Sequence, residues 1–583
     1  MCGIFALLNV YKNNVVFNND VEKEFKKGEK RGPEFSKLDN SYIKMTLGFH
    51  RLAINGLNDE SNQPLVIDDI VLICNGEIYN YKTLYQYMGV KPRTGSDCEV
   101  IIHLYKKYGI EQTLIMLDGV FAFILYDNRI QLDTPLSNKV YIARDPLGVR
   151  PLYHVKQNMY VNMLYGFASE MKCINNFYNS SVKDSRNIDI QQFTPGTYSV
   201  FNLNEKVNSV WEPLIEYKRY FNLGISQSVL TNLKKNNFVF DANTKNIPIF
   251  LENAVNKRCL TTERPIACLL SGGLDSSLIT ALVNNYYKLN NIEQKLETYS
   301  IGLEGSEDLK YARIVADYLG TNHTEIVVSE QEMFDTIPEL IYTLESYDTT
   351  TVRASIGNYL LGKYISQNSD AKVIFNGDGS DELCGGYLYM NNCPDVIEFD
   401  KESRRLLTDI HMFDVLRSDK CISSHGLEPR TPFLDKNFVQ YYLSLPINLR
   451  FHKEYDQCEK YLLRRGFCED TFTNYEGKQL LPDEILWRRK EAFSDGVSNQ
   501  GRSLYKILQE RIFNYLSENP PKNLKNFSMN IETEKYYYKS LFDKDFSNVQ
   551  NILPYYWMPK YTTATDPSAR TLDIYKNTQV ISV

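Results

Sequence analysis

The chain opens Met-Cys-Gly, so removal of Met1 would expose a cysteine that carries its own α-amine. A cysteine thiolate is a strong nucleophile. The neighbouring amine, with an ordinary pKa of about 7.7–8.0, is roughly a tenth neutral at pH 7 and can serve as its base. Other stretches supply what such a nucleophile needs. Asn75 and Gly76 of "LICNGEIYNY" lie just beyond an apolar run. They offer side-chain and backbone donors to an oxyanion, each worth about 3–4 kcal/mol of barrier. Arg51 of "GFHRLAI" can grip a carboxylate through two hydrogen bonds, and Asp97 of "TGSDCEV" can hold an ammonium group. A substrate with both groups is an α-amino acid. Each residue also has a plainer reading. Cys2 can start a buried strand as a small apolar residue, and Arg51 can sit in a surface ion pair. Asp97 can belong to a helix cap, and Asn75-Gly76 to a hairpin turn. His50 reads as structural, because the amine makes a histidine base unnecessary.

A second chemical signal is "LLSGGLDSSL", residues 269–278. An apolar run ends at Leu270, and Ser271, Gly272 and Gly273 make a turn free of bulky side chains. Asp275, Ser276 and Ser277 open the next helix. Backbone N–H groups and a helix N-terminus there form an anion site. No G-x-x-x-x-G-K-[ST] stretch occurs, so this is not a Walker loop. The pattern resembles the loop of enzymes that cut ATP to AMP and pyrophosphate. A second loop, "VIFNGDGSDELCGGYLY" at 373–389, also follows an apolar run. In a parallel sheet the strand C-terminal ends meet at one edge. That brings Asp378, Asp381 and Glu382 towards the phosphate loop, and carboxylates beside a triphosphate call for Mg²⁺ between them. A calcium reading of "GDGSDE" lacks the twelve-residue ligand pattern.

These residues need two kinds of scaffold. Up to about residue 200 the chain shows short apolar runs separated by Gly, Asn, Asp and Pro: "CGIFALLNV", "YIKMTLGF", "DIVLICNG", "VFAFILYD", "KVYIARD", "LYGFASE" and "GTYSVFN". One helix stands among them, "SDCEVIIHLYKKYG", with Ser96 as its N-cap and Gly109 as its stop. This predicts an α+β sandwich. From "RPIACLLSGG" onward strand and helix alternate, which predicts an α/β parallel sheet, and the last 150 or so residues read as largely helical. Expected domains are 2–208 and 246–583, joined by a polar linker at 209–245.

Bulk composition agrees. A chain of 583 residues is too long for one core. With 43% hydrophobic residues, 23% charged and a net charge of -7, it has no basic footprint for nucleic acid. Its 11 cysteines form no C-x-x-C pair, which favours reduced thiols. The start lacks a positively charged region, and "GVFAFILY" is far short of a membrane span. A soluble cytoplasmic protein without membrane partners is expected.

Taken in order, "MCGIFA", "RGPEFS", "GFHRLAI", "NGEIYNY", "TGSDCEVI", "LDGVFAF", "ARDPLGVRPLY" and "FASEMK" resemble a class II glutamine amidotransferase domain of the N-terminal-nucleophile type. "LLSGGLDSS", "GSEDLKYAR", "LESYDTTTVRAS", "GDGSDELCGGYLY", "GLEPRTPFLDK", "WRRKEAFSDGV" and "DPSART" resemble a pyrophosphate-loop synthetase domain. Together they resemble glutamine-dependent asparagine synthetases over nearly the whole chain. The resemblance implies an αββα sandwich followed by the synthetase domain. It implies that Cys2 attacks the glutamine amide, that Asn75 and Gly76 form the oxyanion hole, and that Arg51, Asn75, Glu77 and Asp97 hold glutamine. It implies an ATP site of Leu270, Ser271, Gly272, Gly273, Asp275, Ser276, Ser277, Ile301, Thr350, Asn376 and Gly377. Asp275 and Asp381 would hold Mg²⁺ with ATP, while Arg353 and Lys490 meet phosphates or developing charge. Aspartate would be activated as β-aspartyl-AMP, and ammonia would arrive through an internal tunnel.

The chain departs from the family at "NGDGSDE", where "SGEGSDE" is usual. Asp378 thus stands where a glutamate acts as base on ammonia, Asn376 replaces a serine, and Glu34 stands where aspartate is usual. Two rival readings remain at this point: a β-lactam-forming synthetase, and a catalytically altered relative. Members of the family often form homodimers, and the composition neither requires nor excludes one.

Overall fold

The computed structural model describes residues 1–10, 15–129, 138–158, 163–176, 188–204, 209–224, 237–455, 458–499, 501–521, 527–549 and 551–579. Twelve strands build the N-terminal part. They are β1 (Gly3–Leu8), β2 (Phe35–Asp39), β3 (Met45–Arg51), β4 (Leu65–Ile67), β5 (Ile70–Ile78), β6 (Gly119–Asp127), β7 (Lys139–Arg144), β8 (Tyr153–Asn158), β9 (Met163–Ala168), β10 (Ile188–Gln192), β11 (Thr197–Asn204) and β12 (Val210–Arg219). They form two antiparallel six-stranded sheets, ordered β10-β8-β9-β1-β3-β2 and β12-β11-β7-β6-β5-β4.

Alternation of side chains explains why β1, β5 and β6 are apolar almost throughout. Ile4, Ala6 and Leu8 of β1 meet Val71 and Ile73 of β5 and Ile124 of β6 between the sheets. Phe5 and Leu7 point the other way, onto Val21 and Phe25 of the helix Val15–Lys26. Leu72, Phe121 and Phe123 face outward onto the helices Tyr81–Met88 and Val100–Met116. Both sheet faces are therefore covered, and the layers run helix, sheet, sheet, helix.

The expected helix at 96–109 differs in detail. Residues Asp97–Glu99 form a 3-10 turn and the α-helix begins at Val100. The Ser96 side chain makes no cap. Gly109, at φ 76°, ends one helical stretch, but a second follows directly to Met116. The polar stretch 209–245 is structured over much of its length. β12 adds an edge strand to the second sheet, where Pro213 costs no ladder bond in its interior. The helix Asn237–Leu260 leads into the second unit.

That unit holds a parallel sheet ordered β15-β14-β13-β16-β17, from β13 (Ile266–Leu269), β14 (Glu297–Gly302), β15 (Asn322–Val327), β16 (Val373–Phe375) and β17 (Glu428–Arg430). Helices Leu274–Leu289, Glu307–Leu319 and Thr349–Asn368 accompany it. The C-terminal part carries helices Leu504–Glu518 and Ile531–Phe546, but 547–572 has only one short 3-10 turn among its described residues. No described helix is long and apolar enough to cross a membrane.

Candidate active sites

The first site lies where the ends of β1, β3 and β5 meet. Ser169 ties two of them together: its hydroxyl accepts from the Ile4 N–H at 3.1 Å and from Asn75 Nδ2 at 3.3 Å. Cys2 Sγ lies 3.7 Å from the Leu52 carbonyl, and Arg31 Nε donates to the Cys2 carbonyl at 2.9 Å. Burial pushes the Cys2 thiol up, so it needs a nearby base to ionise. Arg51 is buried, and its two terminal nitrogens are held by the Asn58 carbonyl at 2.9 Å, Asn62 Oδ1 at 2.7 Å and the Gly56 carbonyl. The surface ion pair is thereby excluded. Asp97 accepts from the Ile78 N–H at 2.7 Å, and burial raises its carboxyl to about 6. Glu77 accepts from Asn55 Nδ2 at 2.8 Å. Burial, with the charges of Asp97 and Glu428, pushes it well above the usual range. Gly76 sits in β5 opposite Phe121, where a Cβ would lie 2.5 Å from the Val120 carbonyl oxygen. "NG" is therefore a strand position and not a hairpin turn.

The second site is a cavity at the C-terminal edge of the parallel sheet, with about 1420 Å³ of space including its open mouth. Leu270, Ser271, Gly273, Asp275, Ser276, Ile301, Thr350, Asn376, Gly377, Asp378, Asp381 and Lys490 all line it. Ser271 Oγ and Ser276 Oγ lie 3.0 Å apart across the loop, above the N-terminus of the helix Leu274–Leu289. Gly377 passes so close to Asp275 that a Cβ would lie 2.8 Å from its backbone, which brings the two loops together. Asp275 and Asp381 share two lysines. Lys460 Nζ reaches Asp275 at 2.6 Å and Asp381 at 2.6 Å, while Lys490 Nζ reaches Asp381 at 2.7 Å. Burial opposes ionisation of Asp381, but the two ammonium groups hold it well below the usual carboxylate range. Asp378 is raised by burial and pulled back by Arg417, 3.2 Å away.

One strand separates the sites. Arg430 of β17 reaches Glu77 with Nη2 at 3.4 Å, and its own carbonyl accepts from the Asn376 N–H at 3.1 Å.

A family profile described as glutamine amidotransferase domain matches residues 1–210. One described as asparagine synthase matches 249–398 and 393–551. The chain is 41% identical over 600 residues to the asparagine synthetase [glutamine-hydrolyzing] of Gallus gallus, covering 99% of each. It is 40% identical over 593 residues to that of Homo sapiens, again covering 99% of each. The chain belongs to the glutamine-hydrolysing asparagine synthetase family.

Three residues assigned through the family resemblance lie away from the cavity. Arg353 points into the protein, where Nη2 pairs with Glu534 at 2.6 Å and Nη1 with Asp566 at 2.8 Å. It does not line the cavity, and two buried carboxylates balance its charge. Ser277 is fully buried on the inner face of its helix. Gly272 does not line the cavity either. Its φ of 71° makes the turn, and a Cβ would lie 2.4 Å from the Ala312 backbone.

Other residues that hold the candidate sites together carried no local sequence signal. Lys460 is 185 positions from Asp275 in the chain, and only folding joins them. Glu99 receives the N–H groups of Arg93 and Thr94 at 2.7 and 2.6 Å, fixing the loop before Asp97. Arg488 lies 4.0 Å from the Tyr311 ring centre and 3.1 Å from Asp308, bracing the phosphate loop. The Asn376 departure has a structural use: Nδ2 donates to Ser418 at 2.7 Å and Oδ1 accepts from the Asp378 N–H at 3.3 Å. Glu34 accepts from the Ala53 N–H at 2.7 Å and pairs with Arg264 at 2.8 Å, spanning the two units.

The residues fit Mg²⁺ with a nucleotide. Asp275 and Asp381 are hard oxygen donors in the first turns of the helices Leu274–Leu289 and Ser380–Cys384. No described group of three or more His, Cys, Asp or Glu could hold a metal alone. One or two carboxylates plus substrate phosphates is a usual Mg²⁺ environment.

Proposed function

We propose that the chain makes L-asparagine from L-aspartate, ATP and ammonia released from L-glutamine. At the first site Cys2 attacks the glutamine amide carbon, and the Cys2 amine, once Met1 is removed, takes the thiol proton and passes it to the departing ammonia. Asn75 and Gly76 stabilise the oxyanion. Water then cleaves the thioester to release glutamate. Arg51, Asn75, Glu77 and Asp97 hold the amino acid, Asp97 meeting its ammonium and Arg51 its carboxylate.

At the second site the aspartate side-chain carboxylate attacks the α-phosphorus of ATP, giving β-aspartyl-AMP and pyrophosphate. Ser271, Gly273 and Ser276 cradle phosphate, and Lys490 meets the charge that develops on the leaving pyrophosphate. Mg²⁺ carried with ATP neutralises phosphate charge, and Asp275 and Asp381 would hold it. Ammonia displaces AMP, with Asp378 accepting its proton. Bulk water would protonate ammonia, so passage between the sites through the protein preserves the nucleophile.

The observation that carries this reading is Arg430, which touches the glutamine clamp with its side chain and the acidic loop with its backbone. Two sites on one strand suit a reactant passed from one to the other. The test is to supply purified protein with ATP, aspartate, Mg²⁺ and either glutamine or ammonium. Asparagine and AMP are expected with both nitrogen donors. Glutamate release without AMP would sink the synthetase half.

A further inference from the structure

Lys490 sits on irregular backbone: 488–492 link the short helix Asp483–Leu486 to the turn Phe493–Gly496. A lysine there needs outside support to keep its ammonium 2.7 Å from Asp381. That support comes from the far end of the chain. Arg489, directly before Lys490, donates from Nη2 to the Tyr575 carbonyl at 2.7 Å. Its guanidinium also lies 4.4 Å from the centre of the Tyr575 ring. Glu491, directly after Lys490, accepts a hydrogen bond from the Tyr575 hydroxyl. Arg570 pairs with the same carboxylate at 3.6 Å. Tyr575 is itself buried, in an apolar cluster with Leu572, Trp557 and Phe413. Trp557 and Phe413 also line the nucleotide cavity.

We propose that Tyr575 is a positioning residue for the synthetase step, gripping Arg489 and Glu491 so that Lys490 between them is aimed at the Asp275–Asp381 pair. This rests on the reading of Lys490 as the group that meets the leaving pyrophosphate. A displacement near 1 Å costs about a hundredfold in rate at such a site. The grip on both flanks explains why a tyrosine serves here. Its ring holds a cation, its hydroxyl holds an anion, and both act from one anchored side chain.

The test uses the full chain and ammonia-dependent AMP formation, with glutamine hydrolysis as the measure of an intact fold. Tyr575→Ala is expected to lower kcat by about 10- to 100-fold, with KM for ATP and glutamine hydrolysis little changed. Tyr575→Phe keeps the ring against Arg489 but drops the hydroxyl's hold on Glu491, and its kcat is expected to fall between those of Tyr575→Ala and the wild type. In a Lys490→Met background Tyr575→Ala should cost nothing further, because the residue acts only through Lys490. Additive losses in the double variant overturn the proposal, as does a Tyr575→Ala enzyme with normal kcat. Should Tyr575→Ala lose glutamine hydrolysis as well, Tyr575→Phe and Glu491→Gln replace it, and the same non-additivity decides. A Lys490→Met enzyme with full activity is a distinct result: it removes the role of Lys490 and the brace with it.

Discussion

At Cys2 and Asp97 the environment decides the chemistry more than the residue type does. Burial raises the thiol, so Cys2 as the proposed nucleophile depends on a base brought within reach. Cys2→Ala is expected to abolish glutamine-dependent asparagine formation while ammonia-dependent formation survives. Assays of the two nitrogen donors side by side check this, and equal loss of both with an intact fold would refute the two-site account. Asp97 is raised to about 6 by burial, against the pull of the Ile78 N–H. Only its ionised form receives an ammonium, so the clamp is complete above that pH and is lost as pH falls through it. The KM for glutamine should therefore climb below about pH 6. Asp97→Asn should bind weakly at every pH, without that inflection. A wild-type KM that stays flat from about pH 5 to about pH 8 would exclude Asp97 as the ammonium partner.

The helix Thr349–Asn368 shows how one element serves two ends. Its first turn carries Thr350 into the nucleotide cavity, where Oγ1 also donates to the Trp557 carbonyl at 3.3 Å. Three positions on and about 60° round the helix from Thr350, Arg353 misses the cavity and ties the helix to Glu534 and Asp566. Loss of one partner from a buried ion pair costs about 3–5 kcal/mol, because the remaining charges stay in the interior. Arg353→Met should accordingly lower the urea unfolding midpoint, with KM for ATP near normal in the protein that remains folded. A variant of full stability with a raised KM for ATP would restore the phosphate-binding role. The family resemblance of "TTTVRAS" suggested that Arg353 meets phosphate, while the residues by themselves left it an ordinary surface charge. A helix turns by about 100° per residue, so neighbours in sequence serve different surfaces.

On the scale of the whole molecule, the proposed glutamine site takes contacts from the synthetase unit. Asn55 Nδ2 donates to the Thr261 carbonyl, and the Gly56 N–H donates to Glu263 at 2.7 Å. A buried network of Arg31, Glu170, Asp419, Lys420 and Glu345 joins the units beside Cys2. Arg430 connects the two candidate sites directly. Lysine there keeps the charge, but one ammonium cannot serve Glu428, the Thr261 carbonyl and Glu77 together. Arg430→Lys should raise the KM for glutamine several-fold and release more glutamate than asparagine, while ammonia-dependent synthesis holds. A glutamate-to-asparagine ratio equal to the wild type's would show that Arg430 does not link the sites.

The sequence alone determined the phosphate loop, the acidic loop and the two sheet types, and offered Cys2 as a candidate nucleophile. Each is local: it lies in a short run whose residue order sets a turn, a strand period or a helix start. β2, β4, β8, β10 and β12 escaped because they are short, polar or at or near sheet edges, where burial leaves little apolar pattern. Tertiary structure decided what depends on side-chain direction and on distant partners. It turned Arg353 and Ser277 inward, brought Lys460 to Asp275, and set Tyr575 beside the flanks of Lys490. Those contacts join residues 84 or more positions apart, and no local pattern records which pairs the packing of two domains will bring into contact.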